Sequence, residues 1–140
     1  DIPVKDKKNR VQVDLTNSTY PEAPVVPFIK ATQDRMVLEI QRGCIRGCRF
    51  CQAGMIYRPN REKKVDHLKD VAAALIKNTG HEEISLSSLS SSDYKELDEL
   101  ITFLLDICKE KKINISLPSL RIDAFSLDIM QKVQDVKKAV

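Results

Sequence analysis

The sequence EIQRGCIRGCRFCQAGM, residues 39–55, contains three of the four cysteines in this chain. Cys44, Cys48 and Cys51 follow the spacing C-x₃-C-x₂-C, directly after a short apolar run. Thiols this closely clustered are typical of metal binding rather than of a disulfide framework, and no secretory signal is visible. We therefore expect reduced, metal-binding cysteines in a cytoplasmic protein.

Composition sets bounds on the class of protein. The chain has 140 residues, of which 42% are apolar, so it has one-domain length and enough apolar side chains for a core. The net charge of +3 makes no case by itself for a nucleic-acid or membrane partner. No apolar run approaches the roughly 18 residues of a membrane-spanning helix, so we expect no membrane association.

Residues 1–34 are polar and interrupted by prolines at positions 21, 24 and 27. Proline neither donates to a strand ladder nor continues a helix, so this segment is predicted to be an irregular linker or arm. Residues 11–15 alternate between apolar and polar side chains, which is compatible with a strand at a sheet edge.

From Arg35 onward the pattern becomes regular, and residues 35–140 are predicted to form one unit. Strands are predicted at residues 36–40, 83–89 and 113–117, the last of them stopped by Pro118.

Helical segments separate and follow these strands. The first is predicted to end at Gly80, the second to be capped by Ser92 or Asp93, and the third to be capped by Ser126. The inward-facing positions of the three helices are Leu68, Val71, Ala72, Leu75 and Ile76, then Leu97, Leu100, Ile101, Leu104, Leu105 and Cys108, then Ile129, Met130, Val133 and Val136. The order β-α-β-α-β-α predicts an α/β fold, with a parallel sheet and right-handed crossovers.

Three loops follow the predicted strands: the cysteine loop (residues 43–60), the serine loop (Ser90–Asp93) and the arginine loop (Pro118–Arg121). Ligands of parallel α/β sheets bind at the loops that leave the carboxyl ends of the strands. We expect the three loops to surround one site.

The number of cysteines in the loop distinguishes two kinds of metal centre. Three thiolates leave one iron of a [4Fe–4S] cluster free for an external ligand, whereas structural zinc requires a closed set of four ligands. The candidates for a fourth ligand are His67, His81 and Cys108. A zinc or iron–sulfur binding module therefore remains an alternative to an enzyme.

The cysteine loop and its flank are strongly basic. Residues 41–64 contain seven Lys and Arg residues against a single acid, Glu62. Positive charge favours thiolates and an anionic cluster. A basic nucleic-acid-binding module is a further alternative, although few aromatic residues are interleaved. Lys63 and Lys64 are interpreted as solvated surface residues.

The cysteine spacing, with Phe50 before the third cysteine and a strand in front, resembles the radical S-adenosylmethionine (SAM) superfamily. Residues 42–59, 88–94 and 117–123 are similar to an uncharacterised bacterial group of these proteins. In that group a cobalamin-binding-like domain usually precedes the radical SAM domain. The resemblance covers residues 24–140.

The resemblance implies specific roles for the cysteine loop. Cys44, Cys48 and Cys51 would bind three irons of a [4Fe–4S] cluster, and SAM would occupy the fourth. Reductive cleavage of SAM would then give a 5′-deoxyadenosyl radical. Phe50 would lie beside the adenine, with a hydrophobic plug beneath the loop as the alternative interpretation.

The other two loops would contribute to the SAM site. In many members a Gly-Gly-Glu-like segment receives the SAM ammonium group, and this chain has Ser90, Ser91, Ser92 and Asp93 there instead. Hydroxyls and carbonyls could accept the same hydrogen bonds. Arg121 would hold a carboxylate or the substrate, with an ordinary ion pair as the alternative.

The resemblance also implies that this chain is the N-terminal part of a partial TIM-type barrel. Residues 35–140 supply about three βα units, whereas a full eight-unit barrel takes about 250 residues. The expected partners are the rest of the barrel, a cobalamin-binding-like domain and an electron donor. Asp66-His67 does not fit the Asp-x-His-x-x-Gly cobalamin motif. We expect the isolated piece to be inactive and to self-associate through an unpaired strand edge.

Overall fold

The computed structural model describes residues 14–16, 18–121, 123, 128–129 and 131–133. Within these residues the helices and strands, in chain order, are β1 (Met36–Glu39), β2 (Gln41–Arg42), α1 (Ala53–Ile56), β3 (Arg61–Glu62), α2 (Val65–Thr79), β4 (Glu83–Ser87), α3 (Leu97–Lys111) and β5 (Asn114–Ser116).

The main sheet is parallel, as the alternation of strands and helices predicted. Its strand order is β1-β4-β5, and Ile84 of β4 lies opposite Met36 of β1 and Ile115 of β5. The α/β class and the partial-barrel arrangement are confirmed. Each predicted strand is one or two residues too long at one or both ends, because the ladder hydrogen bonds stop where the loops begin.

One face of the sheet is covered by α2 and α3, which also contact each other. The apolar stripes predicted for these two helices are buried, and Gly80 ends α2 in the left-handed conformation with φ 69°. The core residues are Met36, Leu38, Ile40, Val65, Leu68, Val71, Ala72, Leu75, Ile76, Ile84, Leu86, Tyr94, Leu97, Leu100, Ile101, Leu104, Leu105, Cys108 and Ile113. Burial of this set is the main favourable term for the fold.

The prediction that Ser92 or Asp93 caps α3 was wrong. Residues Ser91–Asp93 form a 3₁₀ turn, and α3 begins only at Leu97, with Glu96 at its N-cap. The polar groups of the serine loop bond to the neighbouring loops instead of to the first amides of the helix.

The described part of the arm contacts β1. The hydroxyl of Tyr20 donates a hydrogen bond to the carbonyl of Val37 at 2.6 Å, and Leu15 is buried. The possible edge strand at residues 11–15 falls mainly outside the described residues.

The C-terminal helix is only partly described. Residues 128–129 and 131–133 are helical, and Ile129 and Val133 pack against the core. Ser126, Met130 and Val136 lie outside the described residues.

None of the helices in the described ranges has the length and apolar character needed to cross a membrane.

Candidate functional site

A two-stranded antiparallel ribbon closes the base of the cysteine loop. β2 pairs with β3, so that Gln41 lies opposite Glu62 and Arg42 opposite Arg61. The amide of Lys63 extends the ribbon by donating to the Ile40 carbonyl at 3.0 Å. The two ends of the loop are thereby fixed beside the end of β1.

Gly43 makes this closure possible. Its φ of +96° is rarely adopted by residues with a side chain, and a Cβ there would come within 2.5 Å of the Tyr57 carbonyl oxygen. The carbonyl oxygen of Pro59 would be 2.8 Å away. The chain leaving β2 thus passes directly against the chain that returns to β3.

The interior of the cysteine loop is also tightly folded. A Cβ on Gly54 would collide with the backbone carbonyl of Arg46, so α1 packs directly against the segment between the first two cysteines. The Cys51 amide donates to the Cys48 carbonyl at 3.1 Å, which makes a turn of these two residues.

The three cysteines of the loop are chemically available. All are unpaired; Cys44 and Cys48 are partly buried and Cys51 is exposed. Cys48 and Cys51 line a pocket of about 440 Å³ together with Arg46, Gly47, Arg49, Phe50, Gln52, Gly54 and Met55. Phe50 is 93% exposed, so the alternative of a hydrophobic plug beneath the loop was wrong.

The described part of the chain contains no group of three or more His, Cys, Asp or Glu side chains arranged to hold a metal ion. Cys44 is not among the residues that line the pocket with Cys48 and Cys51, so the three thiols do not converge on one point; their number and spacing are those of an iron–sulfur site. Three accessible thiols at C-x₃-C-x₂-C spacing lie in one loop, and guanidinium groups that can offset the charge of an anionic centre lie beside them.

An ion pair joins the cysteine loop to the serine loop. Nε of Arg46 donates to both carboxylate oxygens of Asp93, at 3.0 and 3.2 Å, and Nη2 reaches Oδ1 as well. Hydrogen bonding from this guanidinium lowers the pKa of the Asp93 carboxyl despite its burial. The forked geometry fixes the orientation of both side chains.

The serine loop is bound in turn to the arginine loop. The Ser91 hydroxyl donates to the Pro118 carbonyl at 2.8 Å, and the Ser91 amide donates to the Ser119 carbonyl at 3.2 Å. The Arg121 amide donates to the Ser92 hydroxyl at 3.3 Å. The serine loop is also bound to β2, because the side-chain amide of Gln41 donates from Nε2 to the Ser90 carbonyl at 2.6 Å.

Arg121 connects the arginine loop to the cysteine loop. Its guanidinium binds the carboxylate of Asp123 at 2.8 and 2.9 Å, and Nη1 lies 3.6 Å from the sulfur of Cys48. These contacts, with Asp123 as the larger cause, raise the pKa of Arg121 further. Arg121 therefore makes an ion pair and a contact with the cysteine loop, and the three strand-end loops meet at one place, as expected.

Lys63 is not a solvated surface residue, so that interpretation was wrong. Its ammonium group is buried, pairs with Glu39 at 3.2 Å and lies 4.3 Å from the centre of the Tyr20 ring. The Tyr94 hydroxyl donates to the Lys63 carbonyl at 2.9 Å. The burial of Lys63 could not be predicted from the basic run, whereas Lys64 is exposed as expected.

The three candidates for a fourth ligand lie in different surroundings. Cys108 is fully buried in the core, and burial raises the pKa of its thiol to about 11. His81 precedes β4, so it lies at the opposite end of the strands from the cysteine loop. Its Nδ1 lies 3.1 Å from Oδ1 of Asp34. His67 is half-buried in the first turn of α2. None of the three belongs to a described cluster of metal-ligating groups.

A parallel α/β sheet with a three-cysteine loop at the carboxyl end of its first strand is the arrangement expected from the resemblance to radical SAM proteins. The model of the radical SAM superfamily matches residues 38–140, and the chain belongs to this superfamily. It is similar to the uncharacterised protein MJ0966 of Methanocaldococcus jannaschii, with 38% identity over 128 residues. This match covers 91% of the chain and 28% of the archaeal protein, so the chain spans little more than a quarter of that relative's length.

Two functional contacts had no signal in the sequence. Arg46 could be recognised as one of several basic residues, but its pairing with Asp93 joins residues 47 positions apart. The buried Lys63 differs from exposed Lys64 only by its position relative to the ribbon.

Proposed function

We propose that this chain is the cluster-binding part of a radical SAM enzyme. The observation that carries the proposal is the position of three free cysteines within the family match, in a loop bound to the two other strand-end loops. Barrels of parallel strands bind their ligands at the carboxyl ends of the strands, where these loops lie.

Cys44, Cys48 and Cys51 hold three irons of a [4Fe–4S] cluster in this proposal. When bound, the cluster supplies one electron that cleaves the sulfonium of SAM to methionine and a 5′-deoxyadenosyl radical, the chemistry of the superfamily. The protein supplies position and electrostatics. Arg46 and Arg121 place positive charge beside the thiolates, which stabilises a centre of net negative charge.

The remaining groups receive SAM. Phe50 is exposed at the pocket and supplies an aromatic face for the adenine. Ser90, Ser91, Ser92 and Asp93, which the Arg46–Asp93 pair joins to the cysteine loop, would receive the amino group of SAM through hydroxyl and carbonyl oxygens. Asp93 contributes through its bond to Arg46. Arg121, which is paired with Asp123 in the structure, would exchange that partner for a carboxylate of SAM or of the substrate.

The proposal extends to parts beyond this chain. We infer a larger cytoplasmic enzyme with the rest of the barrel, a cobalamin-binding-like domain and an electron donor as partners, and no membrane partner. The unpaired outer edge of β5 among the described residues supports continuation of the sheet, or self-association of the isolated piece.

Anaerobic reconstitution of the full-length protein tests this assignment. About four irons and four sulfides per chain are expected, with a spectrum that changes on addition of SAM. Cys48→Ala should lose the cluster, and Cys108→Ala, which changes the cysteine in the core, should retain it.

Three outcomes would contradict the assignment. One is a single tightly held zinc with no effect of SAM, as expected of a binding module. Another is steeply salt-dependent binding of nucleic acid by a protein that takes up no iron. The third is loss of iron from Cys108→Ala and not from Cys48→Ala.

A further inference from the structure

Arg46 occupies a central position in the cysteine loop, between Cys44 and Cys48. Its backbone amide lies 3.4 Å from the Cys44 sulfur, and its carbonyl packs directly against Gly54. Because both backbone groups of Arg46 contact other parts of the loop, fixing this residue fixes the course of the loop on each side of it.

The side chain of Arg46 connects this point to Asp93. The two side chains share a forked set of hydrogen bonds, and the Asp93 side chain is only 6% exposed. A carboxylate withdrawn from water in this way is costly without its partner, so Asp93 depends on Arg46, whose own side chain is 37% exposed.

Asp93 is itself held firmly. Its amide donates to the Ser90 carbonyl at 3.2 Å, and Ser90 accepts a second bond from the Gln41 side chain. Through Ser91 the same turn is bound to the arginine loop. Asp93 therefore presents its carboxylate from a turn that is attached to the ends of all three strands of the main sheet.

We propose that the Arg46–Asp93 ion pair is a positioning latch that holds the cysteine loop against the serine loop before any cluster is bound. Arg46 is a positioning residue in this proposal, not an iron ligand. The role rests on the proposed function, because the value of a prearranged loop lies in the capture of the cluster. The latch itself is a property of the metal-free protein.

Hydrogen–deuterium exchange of the metal-free full-length protein, under reducing conditions, tests the latch. Peptides covering residues 44–56 report on the hydrogen-bonded amides of Cys51, Met55 and Ile56. Arg46→Ala should exchange about fivefold faster in these peptides, the effect of losing a charge-assisted pair that is partly screened by solvent. Peptides from α2 and α3 should not change.

Arg49→Ala is the matched control, since it removes the same charge from an exposed position in the same loop. It should leave the exchange unchanged. Asp93→Ala breaks the pair from its other side and should match Arg46→Ala, and the double variant should add nothing further. Arg46→Lys keeps the charge and one donor, and should restore part of the protection.

Equal exchange in Arg46→Ala and the parent protein would overturn the latch, and so would an equal acceleration in Arg49→Ala. Either result would leave the radical SAM assignment intact, because the measurement involves no iron. Conversely, failure of reconstitution would not alter the exchange result. In a protein that does take up iron, Arg46→Ala should slow cluster assembly several-fold.

Discussion

Gly43 and Gly47 lie in the same loop and differ in what surrounds their α-carbons. Gly43 has a positive φ and faces backbone atoms of the returning chain, whereas nothing lies within 4 Å of a Cβ built on Gly47. The sequence places both glycines among the cysteines and does not distinguish them. Of the two positions, only 43 lies where two backbone segments approach closely, so glycine is required there.

Gly43→Ala is therefore expected to destabilise the protein by about 2 kcal/mol or more, from the left-handed backbone and from the collision with the Tyr57 carbonyl. Gly47→Ala should change stability by less than about 0.5 kcal/mol. Urea denaturation measures both values. Similar losses for the two variants would show that the closure of the loop does not depend on Gly43.

At the scale of secondary structure, the long elements were predictable and the short ones were not. α2 and α3 each carry an apolar stripe over 15 residues, which is long enough for the helical period to be unambiguous. β2 and β3 have two residues each and are defined by pairing between residues 19 and 21 positions apart, so no local pattern marks them. The start of α3 was predicted too early because capping residues were present in a loop that uses them elsewhere.

The β2–β3 ribbon also buries Lys63, and this yields a prediction with a neighbouring control. Lys63→Ala removes the ion pair with Glu39 and the contact with the Tyr20 ring, and leaves the Glu39 carboxylate with Arg42 as its charged partner. The expected loss is about 1 to 2 kcal/mol. Lys64→Ala, one position further along and exposed, should cost less than about 0.5 kcal/mol.

Thermal denaturation of the two variants at matched ionic strength provides the comparison. A lower midpoint for Lys63→Ala alone is the expected result. If the two midpoints fall together, Lys63 contributes no more than a surface lysine, and the burial of its ammonium group has no energetic consequence.

For the whole molecule, the parallel sheet separates the candidate site from two polar side-chain pairs at the opposite ends of the strands. The cysteine, serine and arginine loops meet where the strands end, whereas the pairs Asp34–His81 and Arg35–Glu83 lie where they begin. The sequence was sufficient to predict this convergence, because parallel strands bring successive loops to one edge. The side-chain bonds between the loops could not be predicted, since they depend on partners about 30 to 70 residues apart.

The most direct measurement of the central claim is SAM cleavage by the reconstituted full-length protein reduced with dithionite under anaerobic conditions. Methionine and 5′-deoxyadenosine should be released in equal amounts, and Cys48→Ala should release neither. Intact SAM in the presence of a fully loaded and reduced cluster would contradict the assignment of this chain to radical SAM chemistry.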